Sequence, residues 1–437
     1  MPWVVSGKSE AALRDQARRL AQWVQETGEL DPVEVGRSLI AHRSVFDHRA
    51  VVFGEDTAGL CTALTTLADG GQGANLVQGR SRGPGEVIFV FPGQGSQWIG
   101  MGQDLFRVFP VFADSISDCD RELSRFVDWS LLDVLSGVTG SVELERIDVV
   151  QPVLFSVMVA LAALWRSFGV HPSGVVGHSQ GEIAAAYVCG ALSLSDAVKI
   201  VALRSRALTT LDGGGAMVSI PLPVDTAETR LQGRDRSLSI AAVNGPDSVV
   251  VSGEPTAVEQ LSAALVAEGI RARQIAVGYA SHSPQVEPLR EDLIGALTDI
   301  TPRTADIPFY STVTGAVFDT AGLDAEYWYR NLRQTVRFEP VIAQLEGPFI
   351  EVSPHPVLMV GIQETLDRRT NPDILVGSIR RDGDGVRHLI SGLSELFVRG
   401  VGVDWPVLLG AGSGLIDLPT YAFQRQRFWL ESAGTHT

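Results

Sequence analysis

Lysine is almost missing from this sequence: of 35 basic side chains only Lys8 and Lys199 are lysine, and arginine supplies the rest against 51 acidic groups. The net charge of −16 argues against nucleic acid or an anionic membrane surface as the main partner. Cysteine is scarce too. Cys61, Cys119 and Cys189 lie far apart and share no CxxC spacing, which excludes a disulfide framework and a structural zinc site and fits a reducing cytoplasmic setting. The amino terminus has no basic segment followed by an apolar run, so no secretion signal is read there. The longest apolar stretch, near Val153 to Trp165, is shorter than a membrane span. No metal site and no membrane association are expected.

What remains is an ordinary globular composition, 45% hydrophobic and 20% charged, over 437 residues. At roughly 150 residues per domain, that is about three compact units. Residues 1–84 read as a small α/β unit, with strands at Trp3 to Val5 and Arg49 to Phe53. A helix behind Ser9 carries Leu13, Ala17, Leu20 and Val24 on one face, and Leu60 to Leu67 is a second helix. The stretch Gly70 to Gly85, rich in Gly, Ser and Arg, marks a boundary. Beyond it, short apolar strands (Val87 to Phe91, Gly174 to Val176, Phe349 to Val352, Ile374 to Val376) alternate with long helical segments, the pattern of a parallel sheet. Between 216 and 282 the rhythm changes to βαββαβ, with strands at Met217 to Ile220, Leu238 to Val243, Val249 to Ser252 and Ile275 to Val277. That order is a ferredoxin-like insert. The aromatic and arginine-bearing tail from Leu418 is expected to pack on a surface.

The sharpest chemical signal is Gly177-His-Ser-Gln-Gly, between a strand and a helical run. A GxSxG turn at such a junction strains the serine and exposes its hydroxyl for attack on a carbonyl. Ser179 is therefore the candidate nucleophile. The N–H of Gln180 supplies one oxyanion donor, and Gln94, in the glycine-rich turn Phe91-Pro-Gly-Gln-Gly-Ser-Gln, could supply another. That turn is no dinucleotide fingerprint, since Trp98 stands where G-x-G-x-x-G needs glycine. Two histidines, His282 and His355, each follow a strand end, and spacing does not choose between them as the base. No acidic third member announces itself, so a backbone carbonyl could orient the base. Arg204 sits among apolar residues on a helix; it is either a surface ion-pair partner or, facing the nucleophile, a fork for a carboxylate.

Phe91-Pro-Gly-Gln-Gly-Ser-Gln-Trp, Gly177-His-Ser-Gln-Gly, Arg204, Ala242-Val-Asn-Gly-Pro, Tyr279-Ala-Ser-His and Val352-Ser-Pro-His-Pro-Val-Leu, in this order, resemble the acyltransferase domain of modular type I polyketide synthases. The resemblance implies an α/β-hydrolase-like large subdomain (85–215 and 283–395) with the ferredoxin-like small subdomain (216–282) inserted. Residues 1–84 resemble the ketosynthase-to-acyltransferase linker and 396–437 the post-acyltransferase linker. By the same resemblance, Ser179 attacks an acyl-CoA thioester and His282 shuttles the proton. Gln94 and Gln180 hold the oxyanion, and Arg204 binds the free carboxylate of a dicarboxylic extender unit. Asn244 and His355 match positions that support the pocket and the base.

The acceptor would be the phosphopantetheine thiol of an acyl carrier protein, with a ketosynthase domain as the neighbour through the linkers and no bound cofactor. Tyr279-Ala-Ser-His, Gln180 and Arg146-Ile-Asp-Val-Val-Gln resemble the signatures of methylmalonyl-specific members. Ser281, where malonyl-specific domains carry a phenyl ring, leaves room for an α-methyl branch. Gly278 departs from the aspartate common before the tyrosine, which leaves ethylmalonyl or a larger extender open. An editing acyl hydrolase, a malonyl- or ethylmalonyl-specific transferase and a catalytically vestigial scaffold are the alternative readings.

Overall fold

The computed structural model describes residues 1–83, 85–233, 237–370, 373–410 and 414–425. The chain divides into two compact units, residues 1–84 with 393–437, and residues 85–392.

In the first unit β1 (Pro2–Gly7), β2 (His48–Phe53) and β3 (Leu76–Arg80) form an antiparallel sheet in that order. Ser9 caps the helix Glu10–Thr27 by accepting the N–H of Ala12, and the expected stripe Leu13, Ala17, Leu20 and Val24 is buried against Trp3 and Val52. Two elements differ from the sequence reading. The helix Pro32–His42 begins at an Asp31 cap with proline in its first turn, and β3 lies inside the stretch taken for a boundary. No residue of β3 is fully buried, so its apolar pattern is too faint to stand out.

The tail packs on this unit. Tyr421 accepts the N–H of Lys8 on its hydroxyl and meets Phe46 at 5.3 Å between ring centroids, while Ala422 N–H donates to Gln16. Residues 411–413 of the glycine-rich stretch, and the end of the tail from Gln426, lie outside the described residues.

The second unit is built on two sheets. Its strands are β4 (Val87–Phe91), β5 (Pro172–Gly177), β6 (Ala216–Ile220), β7 (Leu238–Gly245), β8 (Ser248–Gly253), β9 (Arg273–Ile275), β10 (Phe309–Ser311), β11 (Ala316–Val317), β12 (Val336–Arg337), β13 (Phe349–Glu351) and β14 (Leu375–Gly377). The larger sheet runs β11-β10-β5-β4-β13-β14 and is parallel except at β11. All five residues of β4 are buried, as the continuous run Val-Ile-Phe-Val-Phe requires of a strand covered on both faces. The helix Ile147–Ser167 is longer than the sequence reading allowed, long and apolar enough to span a bilayer, but it is mostly buried in the protein's own core.

The smaller sheet runs β12-β7-β8-β6-β9. Strands β6 to β9 with helices Val224–Leu231 and Pro255–Ala267 give the ferredoxin-like order, all antiparallel. Strand β9 ends at Ile275, two residues before the expected Val277, because Val277 N–H turns back onto the Ile275 carbonyl. Strand β12, beyond the insert in sequence, adds a parallel edge to its sheet. In the parallel sheet the carboxyl ends of β4, β5 and β13 share one edge, where α/β folds place ligands.

Candidate active site

Ser179 follows β5 at φ 54° and His282 follows the insert at φ 59°; among the described residues they are the only non-glycine positions in the left-handed region. Each such conformation costs on the order of 1–3 kcal/mol and persists where its surroundings enforce it. The two glycines of the elbow are required by space. A Cβ on Gly177 would stand 2.2 Å from Glu182 Cα, and one on Gly181 would stand 2.1 Å from the Phe91 carbonyl oxygen. The turn after β5 is thus pressed against the end of β4, which carries the Gln94 loop beside it.

His282 is held from both sides. Its backbone N–H donates to the Leu332 carbonyl, and ring Nδ1 lies 2.7 Å from the Gln334 carbonyl oxygen. A carbonyl only accepts, so Nδ1 carries the proton and Nε2 is left as the acceptor, 2.8 Å from Ser179 Oγ. Burial, reinforced by the nearby Arg204 cation, pulls the imidazole down to about 3, so it is neutral at ordinary pH and free to take a proton. Of the two candidate histidines, only His282 reaches the serine. His355 accepts the Arg381 N–H on Nδ1 at 3.3 Å, and no hydrogen bond among the described residues joins it to Ser179 or His282.

Arg204 is fully buried, and its hydrogen-bond partners among the described residues are Gln151 and Ser179, with no carboxylate in salt-bridge contact; the surface ion-pair alternative does not apply. Its Nη2 lies 3.4 Å from Ser179 Oγ, and Nη1 donates to Gln151 Oε1 at 2.8 Å. Burial lowers its pKa to about 10, which still leaves it cationic at neutral pH. Gln151 Nε2 lies 3.4 Å from the Tyr279 hydroxyl, which donates to Gln94 Oε1 at 3.1 Å.

The N–H groups of Gln94 and Gln180 donate to no acceptor among the described residues, and that of Gln180 heads the helix Gly181–Val188. Both amide atoms of the buried Gln180 side chain are also without partners there. Ser281 turns its hydroxyl to Met217 Sδ at 3.8 Å. Asn244 Oδ1 lies 2.8 Å from Nε2 of His178, the residue before the nucleophile, so it steadies the elbow and not the base.

Beside Gln94 and Tyr279 a cavity of about 390 Å³ opens, walled also by Ile147, Asp212, Val277 and Gly278. Asp212 occupies the space that a side chain at 278 would need, its Oδ1 lying 2.1 Å from the position of a Cβ there.

The sequence reading missed the support beneath the elbow. Glu182 is wholly buried and accepts from Thr312 N–H (2.5 Å), Thr312 Oγ (2.8 Å), Tyr327 (2.8 Å) and Asn331 (2.9 Å), while Asn331 also donates to the Ser179 carbonyl at 3.0 Å. Burial pushes this carboxyl up from its usual range. The available signal was a lone glutamate in an otherwise apolar helix.

Fold and site place the chain among α/β proteins that present a serine on a strand-to-helix elbow. Residues 88–403 match the family model described as acyl transferase domain, and residues 3–64 match one described as CurL-like, PKS C-terminal. Polyketide synthase GfsA of Streptomyces halstedii is 53% identical over 98% of this chain, which covers only 6% of that protein. Among solved structures, the acyltransferase domain from module 8 of the salinomycin polyketide synthase is 48% identical with a TM-score of 0.89, covering 93% of this chain and 97% of that one. A loading acyltransferase from the avermectin modular polyketide synthase is 47% identical with a TM-score of 0.68, covering 71% and 99%. The chain belongs to the acyltransferase domains of modular type I polyketide synthases.

Proposed function

We propose that this domain moves an α-substituted malonyl extender unit, methylmalonyl by preference, from CoA to the phosphopantetheine thiol of an acyl carrier protein through an acyl-Ser179 intermediate. The observation that carries the reading is Arg204: a buried cation beside the nucleophile, with no carboxylate in salt-bridge contact among the described residues and the buried Glu182 acting on it only from beyond contact. Such a charge is stabilised when a substrate carboxylate arrives, and the fork of its guanidinium suits that carboxylate. A monocarboxylic starter unit would leave it unpaired.

In the first half-reaction Ser179 Oγ gives its proton to His282 Nε2 and attacks the thioester carbonyl carbon. The oxyanion is held by the N–H groups of Gln94 and Gln180. Collapse breaks the C–S bond, and His282 returns the proton to the departing CoA sulfur. In the second half the carrier thiol loses its proton to His282 and attacks the acyl-serine carbon. The C–O bond then breaks and Ser179 Oγ regains the proton.

Tyr279 and Ser281 border the α-carbon in this reading, and the small Ser281 side chain leaves space for a methyl branch. One methyl in a pocket is worth about 1 to 3 kcal/mol, so the preference is graded. The ketosynthase neighbour and a cytoplasmic location belong to the same proposal. An acidic carrier protein would meet Arg380 and Arg381, which enter no ion pair among the described residues, whereas Arg333, Arg368 and Arg369 pair with Glu287, Asp247 and Asp373.

The test is intact mass after brief mixing with equimolar methylmalonyl-, malonyl-, ethylmalonyl- and propionyl-CoA, beside Ser179→Ala. A dominant methylmalonyl adduct absent from the variant is expected. Propionyl labelling in its place would refute the role of Arg204, and a rapid return to unmodified protein without carrier would favour the hydrolase.

A further inference from the structure

We infer that Gln151 is a positioning residue that couples recognition of the substrate carboxylate at Arg204 to the pocket wall at Tyr279, and through it to Gln94. The inference rests on the extender-unit reading above. Its basis is a hydrogen-bond chain whose direction is forced. Arginine has donors and no acceptor, so Gln151 must turn Oε1 towards it, at 2.8 Å. The other end of the amide is then a donor and faces the Tyr279 oxygen at 3.4 Å. With that oxygen accepting, the phenolic hydrogen points to Gln94 Oε1 at 3.1 Å.

Arg204, Gln151 and Tyr279 are all buried, so water offers no substitute partner for either bond that Gln151 makes, whereas the last link reaches the half-buried Gln94 at the cavity wall. Gln151 lies on the helix Ile147–Ser167, Arg204 on Leu194–Leu208 and Tyr279 beyond β9, so one amide joins three separate elements. A helix lining an apolar core has no packing reason for an amide there. An isosteric leucine would fill the same space and leave Arg204 and Tyr279 without their shared partner.

The consequence is that carboxylate selection and pocket shape are set together. Gln151→Leu deprives a charged donor of its acceptor, so loading of methylmalonyl-CoA falls roughly 10- to 100-fold while propionyl-CoA, which has no carboxylate to place, is affected far less. Gln151→Glu is more severe for methylmalonyl. Its carboxylate pairs with Arg204 in the substrate's place, and its second oxygen accepts from Tyr279, which turns the hydroxyl away from Gln94.

The experiment is competitive loading of each variant with methylmalonyl- and propionyl-CoA in one sample, with the adduct ratio at Ser179 read by intact mass. Unfolded protein lowers both adducts equally and leaves the ratio untouched. The inference expects the methylmalonyl-to-propionyl ratio to fall in Gln151→Leu and further in Gln151→Glu, and Tyr279→Phe to change the ratio in the wild-type background but not beside Gln151→Leu. An unchanged ratio in both Gln151 variants, or an equal effect of Tyr279→Phe in both backgrounds, overturns it while leaving the extender reading intact. A wild-type protein that takes up neither acyl group refutes that reading, and the inference falls with it.

Discussion

The buried imidazole of His282 makes two pH-dependent quantities separable. With its pKa drawn down to about 3 by burial and the Arg204 charge, the folded protein refuses a proton that the unfolded chain accepts near 6.5. A base with a lowered folded-state pKa contributes stability above its unfolded value and loses it as pH falls, at about 1.4 kcal/mol per unit. Between pH 6.5 and 5 that amounts to about 2 kcal/mol. His282→Gln removes the titration. In urea unfolding of the full chain followed by tryptophan fluorescence, the variant should gain about 2 kcal/mol on the wild type as pH drops from 7 to 5. The rate constant for acyl-enzyme formation reads the same group differently. Because the base stays neutral, loading by the wild type should show no acid limb near 6.5 and should persist to pH 5 in whatever protein remains folded. An acid limb near 6.5, together with no pH-dependent stability difference, would mean that the imidazole is solvated and that the buried base does not exist.

Three further outcomes are expected. Arg204→Leu leaves a buried substrate carboxylate unpaired, a loss of roughly 3–5 kcal/mol, so loading of methylmalonyl-CoA should fall by two orders of magnitude or more while propionyl-CoA labelling holds or rises; equal loss of both would refute carboxylate selection. Gly181→Ala drives a Cβ into the Phe91 carbonyl, and a shift of the elbow by about 1 Å costs about 100-fold in loading rate. Gly190→Ala, at φ 89° with open space around it, should cost only about 1 kcal/mol of stability and spare loading, so equal effects would refute the spatial argument. Burial pushes Glu351 up to about 7, so its stabilising proton is held at low pH and lost as pH rises through 7; Glu351→Gln should flatten the wild-type decline in melting temperature between pH 5 and 8.

Four strands of the larger sheet were legible because they are covered on both faces and read as short apolar runs, Val87 to Phe91 above all, whereas β10, three residues ending in serine, and β11 were not. The insert was legible from its alternation of short strands and helices, and the elbow from its glycines. Strand β3 was not, since an edge strand with no fully buried residue leaves little period to detect. The choice between His282 and His355 was closed to spacing arguments as well. Both follow strand ends, and what separates them is a carbonyl 52 residues away at Gln334.

The same limit explains why the polar residues around the nucleophile had no physical account from the sequence: Glu182 went unread, and Gln151 entered only as the last residue of Arg146-Ile-Asp-Val-Val-Gln. Gln151 and Glu182 each look like an isolated polar residue in an apolar helix, the pattern of a tolerated exception. Each is buried, and each is satisfied only by groups more than fifty residues away: the Arg204 and Tyr279 side chains for Gln151, and the Thr312 N–H with the Thr312, Tyr327 and Asn331 side chains for Glu182. Burying an amide or a carboxyl without partners costs several kcal/mol, so a lone polar residue in a core helix predicts a partner even when the sequence cannot say which. Here the two exceptions lie on either side of Ser179. One fixes the cation that meets the substrate, and the other, through Asn331 and the Ser179 carbonyl, holds the strained turn that exposes the hydroxyl.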